Sequence, residues 1–108
     1  MGEDLALRYL TRRGYKLVER NYRTRQGEID LIVRKRDTLV FVEVKLRRTT
    51  GFGAPLEAVT PRKQTTLRSL AEHYLAEREP DFDTFRFDVI GILAAQDGLR
   101  IDHVEDAF

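Results

Sequence analysis

Apolar and polar residues alternate along two stretches in the first half of the chain. The stretches cover residues 28–35 and 39–46, and their alternating apolar residues are Ile29, Leu31 and Val33, then Val40, Val42, Val44 and Leu46. A period of two with many β-branched residues is typical of β-strands. Residues 35–38, where the two stretches meet, are polar, so the pattern predicts a β-hairpin with a tight turn.

Patterns on either side of this hairpin predict the order helix, three strands, helix, two strands. Residues 2–13 show helical periodicity and end at Gly14, while Thr60 and Pro61 suit the N-cap and first turn of a second helix. The other predicted strands cover residues 15–22, 84–93 and 99–104, with a turn at Asp97-Gly98 joining the last two. We expect one α/β (α+β) domain over residues 1–108, with a mixed sheet of about five strands flanked by two helices.

The predicted hairpin register places two acids opposite each other. If the alternating apolar residues share one face, Asp30 pairs with Glu43, and both carboxylates leave the opposite face, as does Lys45. Like charges about 5 Å apart repel by on the order of 3 kcal/mol at an effective dielectric of about 20. We therefore expect a cation between them. Lys45 is one candidate and a divalent metal ion is the better one, because hard cations bind carboxylate oxygens.

Other charged residues near this hairpin are each open to two interpretations. Glu28 is either a third ligand of the site or a surface acid at the sheet edge. The position of Glu3 in the first helical turn favours an interaction with the helix macrodipole. Lys63, at the start of the second helix, either extends into solvent or contacts phosphate. For Asp88 we expect a local ion pair with Arg86.

Composition narrows the chemistry. The chain has no cysteine, which excludes disulfide and thiolate chemistry, and its two histidines make a zinc site improbable. No apolar run reaches the length of a membrane span, and the N-terminus lacks the pattern of a signal peptide. We expect a cytoplasmic protein without membrane contact.

Charge is divided unevenly along the chain. Residues 1–68 contain 16 basic and 8 acidic residues, a balance of +8, and residues 69–108 contain 3 and 10, a balance of −7. This asymmetry indicates either two solvated faces of opposite sign or a basic surface for phosphate backbones. Loop arginines in the basic part either face water or bind phosphate; they are Arg23, Arg25, Arg47 and Arg48. In the loop of residues 47–55, Phe52 either joins the core or contacts bases.

Asp30, twelve intervening residues and then Glu43-Val44-Lys45 resemble the PD-(D/E)XK nuclease signature, although Ile29 stands at the signature's proline position. Nearly the whole chain also resembles the bacterial YraN-type family, which is grouped with Holliday-junction-resolvase-like proteins. The segments that carry this resemblance are Gly2-Glu3, Gly14-Tyr15, Arg20-Asn21-Tyr22-Arg23, Gly27-Glu28-Ile29-Asp30-Leu31-Ile32, Phe41-Val42-Glu43-Val44-Lys45, Lys63 and Arg86-Phe87-Asp88-Val89. The resemblance implies a restriction-endonuclease-like core.

The resemblance also implies roles for single residues. The metal-ligand acids of the superfamily correspond to Asp30 and Glu43, and the lysine that orients or activates water corresponds to Lys45. Glu3 falls where resolvase-like relatives place a helix-borne acid that assists the metal site.

The activity implied in this way is phosphodiester hydrolysis with Mg²⁺ or Mn²⁺, on DNA rather than RNA, with branched DNA as a candidate substrate. Lys63 and Gln64 fall where many relatives place a substrate-binding or active-site residue, and resolvases suggest a homodimer by analogy. Two other classes stay open. One is a nucleic-acid-binding module that keeps the fold without cleaving. The other is a structural or protein-interaction domain in which the acids pair with Lys45 and nearby arginines.

Overall fold

The computed structural model describes residues 2–48 and 59–108. Within these ranges the chain forms α1 (Gly2–Arg12), β1 (Lys16–Thr24), β2 (Gly27–Lys35), β3 (Thr38–Arg48), α2 (Pro61–Arg78), β4 (Thr84–Ala95) and β5 (Gly98–Val104). The order and the number of these elements confirm the predicted α+β fold class, and the architecture is consistent with a restriction-endonuclease-like core. Residues 49–55 of the predicted loop, which include Phe52, lie outside the described residues.

The strands form one sheet in the order β1-β2-β3-β4-β5. In the central hairpin Leu31 pairs with Val42, and Val33 with Val40, which confirms the predicted register. β3 and β4 run parallel, and α2 lies in the connection between them. Parallel neighbours require a crossover of this kind, whereas the antiparallel pairs on either side need only short turns.

Each face of the sheet packs against one helix. The face toward α1 buries a cluster of aliphatic side chains around Ala6 and Leu10, drawn from β2, β3 and β4. The face toward α2 buries a cluster rich in aromatic rings, in which Phe41 lies near Tyr74 and Phe87. Because both faces are covered, the central strands are apolar on both sides, and the alternation in the sequence separates two cores rather than a core from solvent.

Ile29 departs from the predicted arrangement. It packs in the α2 cluster with Tyr22, its partner in β1, and not with Leu31 in the α1 cluster. The regular pairing of β2 with β3 ends at Leu31 and Val42, so nothing in the ladder keeps the residues before Leu31 in strict alternation. The expectation that Ile29 shares a face with Leu31 is therefore wrong, and the interruption falls at Asp30.

The predicted signals are found at the end of α1 and at the start of α2, whereas the β4–β5 turn lies one residue earlier than predicted. Gly14 follows α1 with φ +90°, a conformation that favours glycine, and Thr60 caps α2 by accepting the Lys63 N–H at 3.2 Å. Ala95 pairs with Gly98, so the β4–β5 turn consists of residues 96 and 97 and not of Asp97-Gly98. Neither α1 nor α2 is long and apolar enough to cross a membrane, a statement limited to the part of the chain described above.

Candidate metal centre

The interruption in β2 positions the Asp30 carboxylate against β3. Regular pairs run from Lys35 opposite Thr38 down to Leu31 opposite Val42. Beyond them, Asp30 Oδ2 accepts the Val44 N–H at 2.8 Å. A side-chain oxygen thus accepts a hydrogen bond from the backbone of β3, and this bond holds the carboxylate beside Glu43.

The two hairpin acids lie side by side and partly buried. Burial raises the pKa of Asp30 to about 7 against the opposing hydrogen bond from Val44, and the negative charge of Glu43 adds to the rise. The Glu43 side chain is only 13% exposed. A buried carboxyl next to another carboxylate holds a proton at a pH where exposed acids have lost theirs, because the alternative is two adjacent charges with little solvation. A cation that replaces this proton would remove the same repulsion.

Two more carboxylates lie near Asp30. Glu3 from α1, Glu28 from β2 and Asp30 each place one oxygen within 4.8 Å of the others, a spacing compatible with a shared metal ion. Oxygen ligands of this type suit hard divalent cations such as Mg²⁺ and Mn²⁺. The structure therefore brings Glu3 next to Asp30, and it places Glu28 within the same reach.

The start of α1 positions Glu3. Gly2 lies over the end of β3, where an added Cβ would be 3.6 Å from side-chain atoms of both Val44 and Leu46. Asn21 of β1 donates from Nδ2 to Glu3 Oε1 at 2.8 Å. Its backbone has φ +55°, a left-handed conformation that asparagine tolerates better than most residues. Asn21 thus fixes the orientation of Glu3, a role that sequence reasoning missed.

Two lysines lie on the same side of the sheet as Glu43. Lys63 Nζ is 3.4 Å from Glu43 Oε2, and the Thr60 cap that receives the Lys63 N–H sets the position of this residue at the start of α2. Lys45 follows Glu43 by two residues in a strand that pairs with β4 without a register shift, so both side chains leave the same face. The site therefore combines several acids with nearby cations.

The arginines that were predicted to bind nucleic acid differ in their contacts and in their exposure. Arg23 Nε lies 3.1 Å from Glu28 Oε1, whereas Arg25 is exposed in the β1–β2 turn. Arg47 is exposed near the end of β3. Arg48 belongs to β3, but its side chain lies outside the described part of the structure.

The described hydrogen bonds of Gln64 lie at the start of α2. Its Nε2 donates to the Val59 carbonyl at 2.8 Å, and its backbone N–H donates to the Thr60 carbonyl at 2.9 Å. Both bonds stabilise the entry into α2. The Gln64 amide is part of the helix start, while its neighbour Lys63 contacts Glu43.

The raised pKa of Asp30 predicts how stability depends on pH in the absence of divalent metal. Between about pH 4 and pH 7 the folded state keeps a proton that the unfolded chain has released, so the free energy of unfolding falls as pH rises through this range. After allowance for solvent screening, we expect Asp30→Asn to stabilise the protein by on the order of 2 kcal/mol at pH 8, and by much less at pH 4.

Urea denaturation in EDTA at both pH values measures this difference. Asp97→Asn, at an exposed acid in the β4–β5 turn, is the matched control and is expected to change stability by less than about 0.5 kcal/mol. A gain for Asp30→Asn that is the same at pH 4 and pH 8 would contradict the raised pKa.

Comparison with known sequences places the chain in a family. The profile described as "Uncharacterised protein family UPF0102" matches residues 2–92. The chain belongs to the UPF0102 family. It is 50% identical to the UPF0102 protein of Syntrophomonas wolfei over 107 residues, which cover 99% of this chain and 93% of that protein. This membership confirms the resemblance to the YraN-type family.

More distant members of the UPF0102 family also align along most of their length. The chain is 47% identical to the Geobacter sulfurreducens protein over 108 residues (99% of this chain and 84% of that one). It is 42% identical to the Dictyoglomus thermophilum protein over 102 residues (94% and 86%). The matched range includes α1, the hairpin and α2, so the elements that carry the candidate metal centre all lie in the family region.

Proposed function

We propose that this UPF0102 protein is a metal-dependent nuclease that hydrolyses phosphodiester bonds in DNA, with branched DNA among its substrates. The observation that carries the proposal is the convergence of Glu3, Glu28 and Asp30 within 4.8 Å, with the partly buried Glu43 beside Asp30. The resemblance of Asp30, Glu43 and Lys45 to the PD-(D/E)XK signature supports the same reaction.

The donor set fits Mg²⁺ or Mn²⁺. Glu3, Glu28 and Asp30 would hold the ion, since their oxygens lie within 4.8 Å of one another, and Glu43, which lies beside Asp30 but outside that group of three, would be a further ligand. All four provide carboxylate oxygens of the kind these ions prefer. When bound, such an ion supplies Lewis-acid stabilisation of the negative charge on a phosphodiester group. Because Asp30 holds a proton near neutral pH, metal binding is expected to release that proton and to strengthen as pH rises.

The cationic residues of the chain provide the contacts with the substrate backbone. Lys45 and Lys63, on the Glu43 side of the sheet, place positive charge where the scissile phosphate would approach. The exposed Arg25 extends the basic surface on the β1–β2 turn. Contacts of lysine and arginine with phosphate carry no sequence information, which is why we propose selection of DNA structure rather than of base sequence.

A cleavage assay tests this function. The purified protein is incubated with plasmid, single strands, flaps, four-way junctions and RNA in Mg²⁺ or Mn²⁺, with EDTA and the Asp30→Asn variant as controls. We expect metal-dependent cleavage of DNA with a preference for branched forms, and none with EDTA. Binding of DNA without cleavage by the wild type would contradict the nuclease and assign a binding module. The absence of both would favour a structural or protein-interaction domain.

A further inference from the structure

A second polar cluster lies at the other end of α1, and the proposed nuclease chemistry does not use it. The β4 carboxylate of Asp88 is fully buried and accepts from Arg86 Nε at 3.0 Å, and His103 Nε2 lies 2.7 Å from its other oxygen. The Tyr15 hydroxyl accepts from Arg86 and donates to Glu105 Oε1 at 3.3 Å. These bonds fix the orientation of the side chains that form the floor of an open cleft.

The cleft has a volume of about 410 Å³. Its lining consists of Tyr9, Arg13, Tyr15, Lys35, His103 and Glu105. Small-molecule sites in proteins have volumes of roughly 300–1,000 Å³, so the cleft has the size of a ligand site. Three of its six lining residues are charged, which favours a charged ligand over an apolar one.

Flat surfaces form one part of the cleft. The His103 ring lies edge-on to Tyr9 and Tyr15, with centroid distances of 5.6 and 6.3 Å. The Arg13 guanidinium stacks 3.8 Å above the Tyr9 ring. Tyr15 and the His103 side chain are only 4% and 7% exposed, so they back this wall, and the flat group that it presents to solvent is the exposed Arg13 guanidinium. Nucleobases stack on guanidinium planes, so Arg13 suits a base.

Two exposed cations form another part. Lys35 Nζ lies 5.0 Å from the centre of the Tyr15 ring, and the Lys35 chain runs 3.7 Å from where a Cβ of Gly14 would be, next to Arg13. Arg13 and Lys35 thus both line the cleft near the end of α1. Glu105, the acidic residue of the lining, is bonded to Tyr15 and Arg86, which partly offsets its charge. It provides an acceptor for a sugar hydroxyl.

We propose that this cleft binds a nucleoside phosphate, either a free nucleotide or the phosphorylated end of a nucleic-acid strand. The base stacks on the exposed face of the Arg13 guanidinium, which Tyr9 supports from behind, and the phosphate binds Lys35 and the edge of the same guanidinium. The two cations give charge-assisted bonds to phosphate oxygens, and a nucleoside without phosphate cannot use them. This site is independent of the acids at Asp30, because it needs no metal ion.

Amide chemical-shift mapping of the ¹⁵N-labelled protein in EDTA tests this site. The protein is titrated with AMP and UMP, with adenosine and inorganic phosphate as half-ligands, and with 5′-phosphorylated and 5′-hydroxyl oligonucleotides. We expect shifts from the nucleotides around Arg13, Lys35 and His103, and binding of AMP roughly tenfold or more tighter than that of adenosine. The source is assigned by whether the phosphorylated strand or AMP binds more tightly, and both results support the site.

Matched variants make the test specific. Arg13→Ala combined with Lys35→Ala removes two exposed side chains and is expected to weaken AMP binding roughly tenfold or more. Arg12→Ala changes an exposed arginine next to Arg13 that does not line the cleft. We expect it to change the affinity for AMP by less than roughly twofold. Asp30→Asn is expected to leave AMP binding in EDTA unchanged.

Three results would overturn the proposal. One is an absence of shifts, or shifts confined to residues around Glu43 and Lys63. Another is adenosine or phosphate binding as tightly as AMP. The third is an equal loss of affinity in Arg12→Ala and in the double variant, since a general basic surface would give that result. Thermal denaturation of each variant by circular dichroism verifies that it is folded.

Discussion

Asp30→Asn is expected to lower metal-dependent DNA cleavage by at least roughly 1,000-fold, because it removes a charged ligand from the centre of the acidic site. Asparagine keeps the size of the side chain and an oxygen that can accept the Val44 N–H, so the local structure of β3 is retained. If this variant is also more stable than the wild type in EDTA, as predicted above, its loss of activity is not caused by unfolding. Cleavage rates and denaturation curves of the same preparation measure both effects.

Variants of the neighbouring acids test the role of each acid in the metal centre. Glu43→Gln is expected to lose cleavage to a similar extent, since it removes the carboxylate beside Asp30 that we propose as a second charged ligand of the ion. We expect Glu28→Gln to weaken Mn²⁺ binding in calorimetry, because Glu28 lies within 4.8 Å of Asp30 and Glu3. An unchanged affinity would return Glu28 to the surface-acid interpretation. Asp97→Asn is the control at an exposed turn and is expected to cleave like the wild type.

Equal cleavage by wild type and Asp30→Asn would show that the activity comes from a contaminating nuclease, and the proposed function would fall. Metal binding without cleavage would keep the metal centre and reject the reaction. These outcomes are separate from the nucleotide cleft, which is tested without metal.

Asp88→Ala is expected to destabilise the protein by about 3 kcal/mol or more, because it leaves the partly buried Arg86 and the mostly buried His103 without the carboxylate that they share. Asp88 is fully buried, and the side chains of Arg86 and His103 are 24% and 7% exposed. Burial alone would raise the pKa of Asp88, but hydrogen bonds from His103, Arg86 and the Asp106 N–H outweigh it and lower the pKa. The folded state therefore stabilises the ionised carboxylate, and this contribution is lost as pH falls below about 4.

A double variant tests whether the loss of stability in Asp88→Ala comes from the guanidinium that has lost its carboxylate. Arg86→Met combined with Asp88→Ala also removes the guanidinium that is left with Tyr15 and Glu105 as its acceptors, and we expect it to be more stable than Asp88→Ala alone. Asp102→Ala on β5 breaks an exposed pair with Arg100 at 3.5 Å and is expected to cost less than about 1 kcal/mol. Urea denaturation at pH 7 measures all three. A cost for Asp88→Ala as small as that for Asp102→Ala would show that the buried network is not stabilising.

The local pattern predicted much of the fold because each element carries its own signals. Alternating β-branched residues gave β2 and β3 and their register, and the Thr60-Pro61 pair gave the start of α2. The ion pair of Asp88 with Arg86 followed from their placement two residues apart on one strand and is confirmed at 3.0 Å. The turn before β5 was displaced by one residue, because a glycine with positive φ can begin a strand as well as belong to a turn.

The partners of the acids could not be predicted in the same way. His103 joins Asp88 because β5 pairs with β4 so that Ile90 is opposite His103, and register between strands predicted separately is not encoded in either pattern. Asn21 contacts Glu3 because α1 crosses the first strands at a particular position, and helix placement depends on how the apolar cluster around Ala6 and Leu10 packs.

By itself, the sequence determined that Asp30 and Glu43 would lie together on a hairpin, since alternation and a short turn leave one register that buries the valines. Only the tertiary structure decided what surrounds them. The packing of α1 brings Glu3 to Asp30, and the crossover into parallel β4 brings Lys63 to Glu43. Burial then raises the pKa of Asp30 to about 7. Hairpin pairing is a local property of neighbouring residues, whereas desolvation and the approach of distant charges exist only once both helices have packed on the sheet.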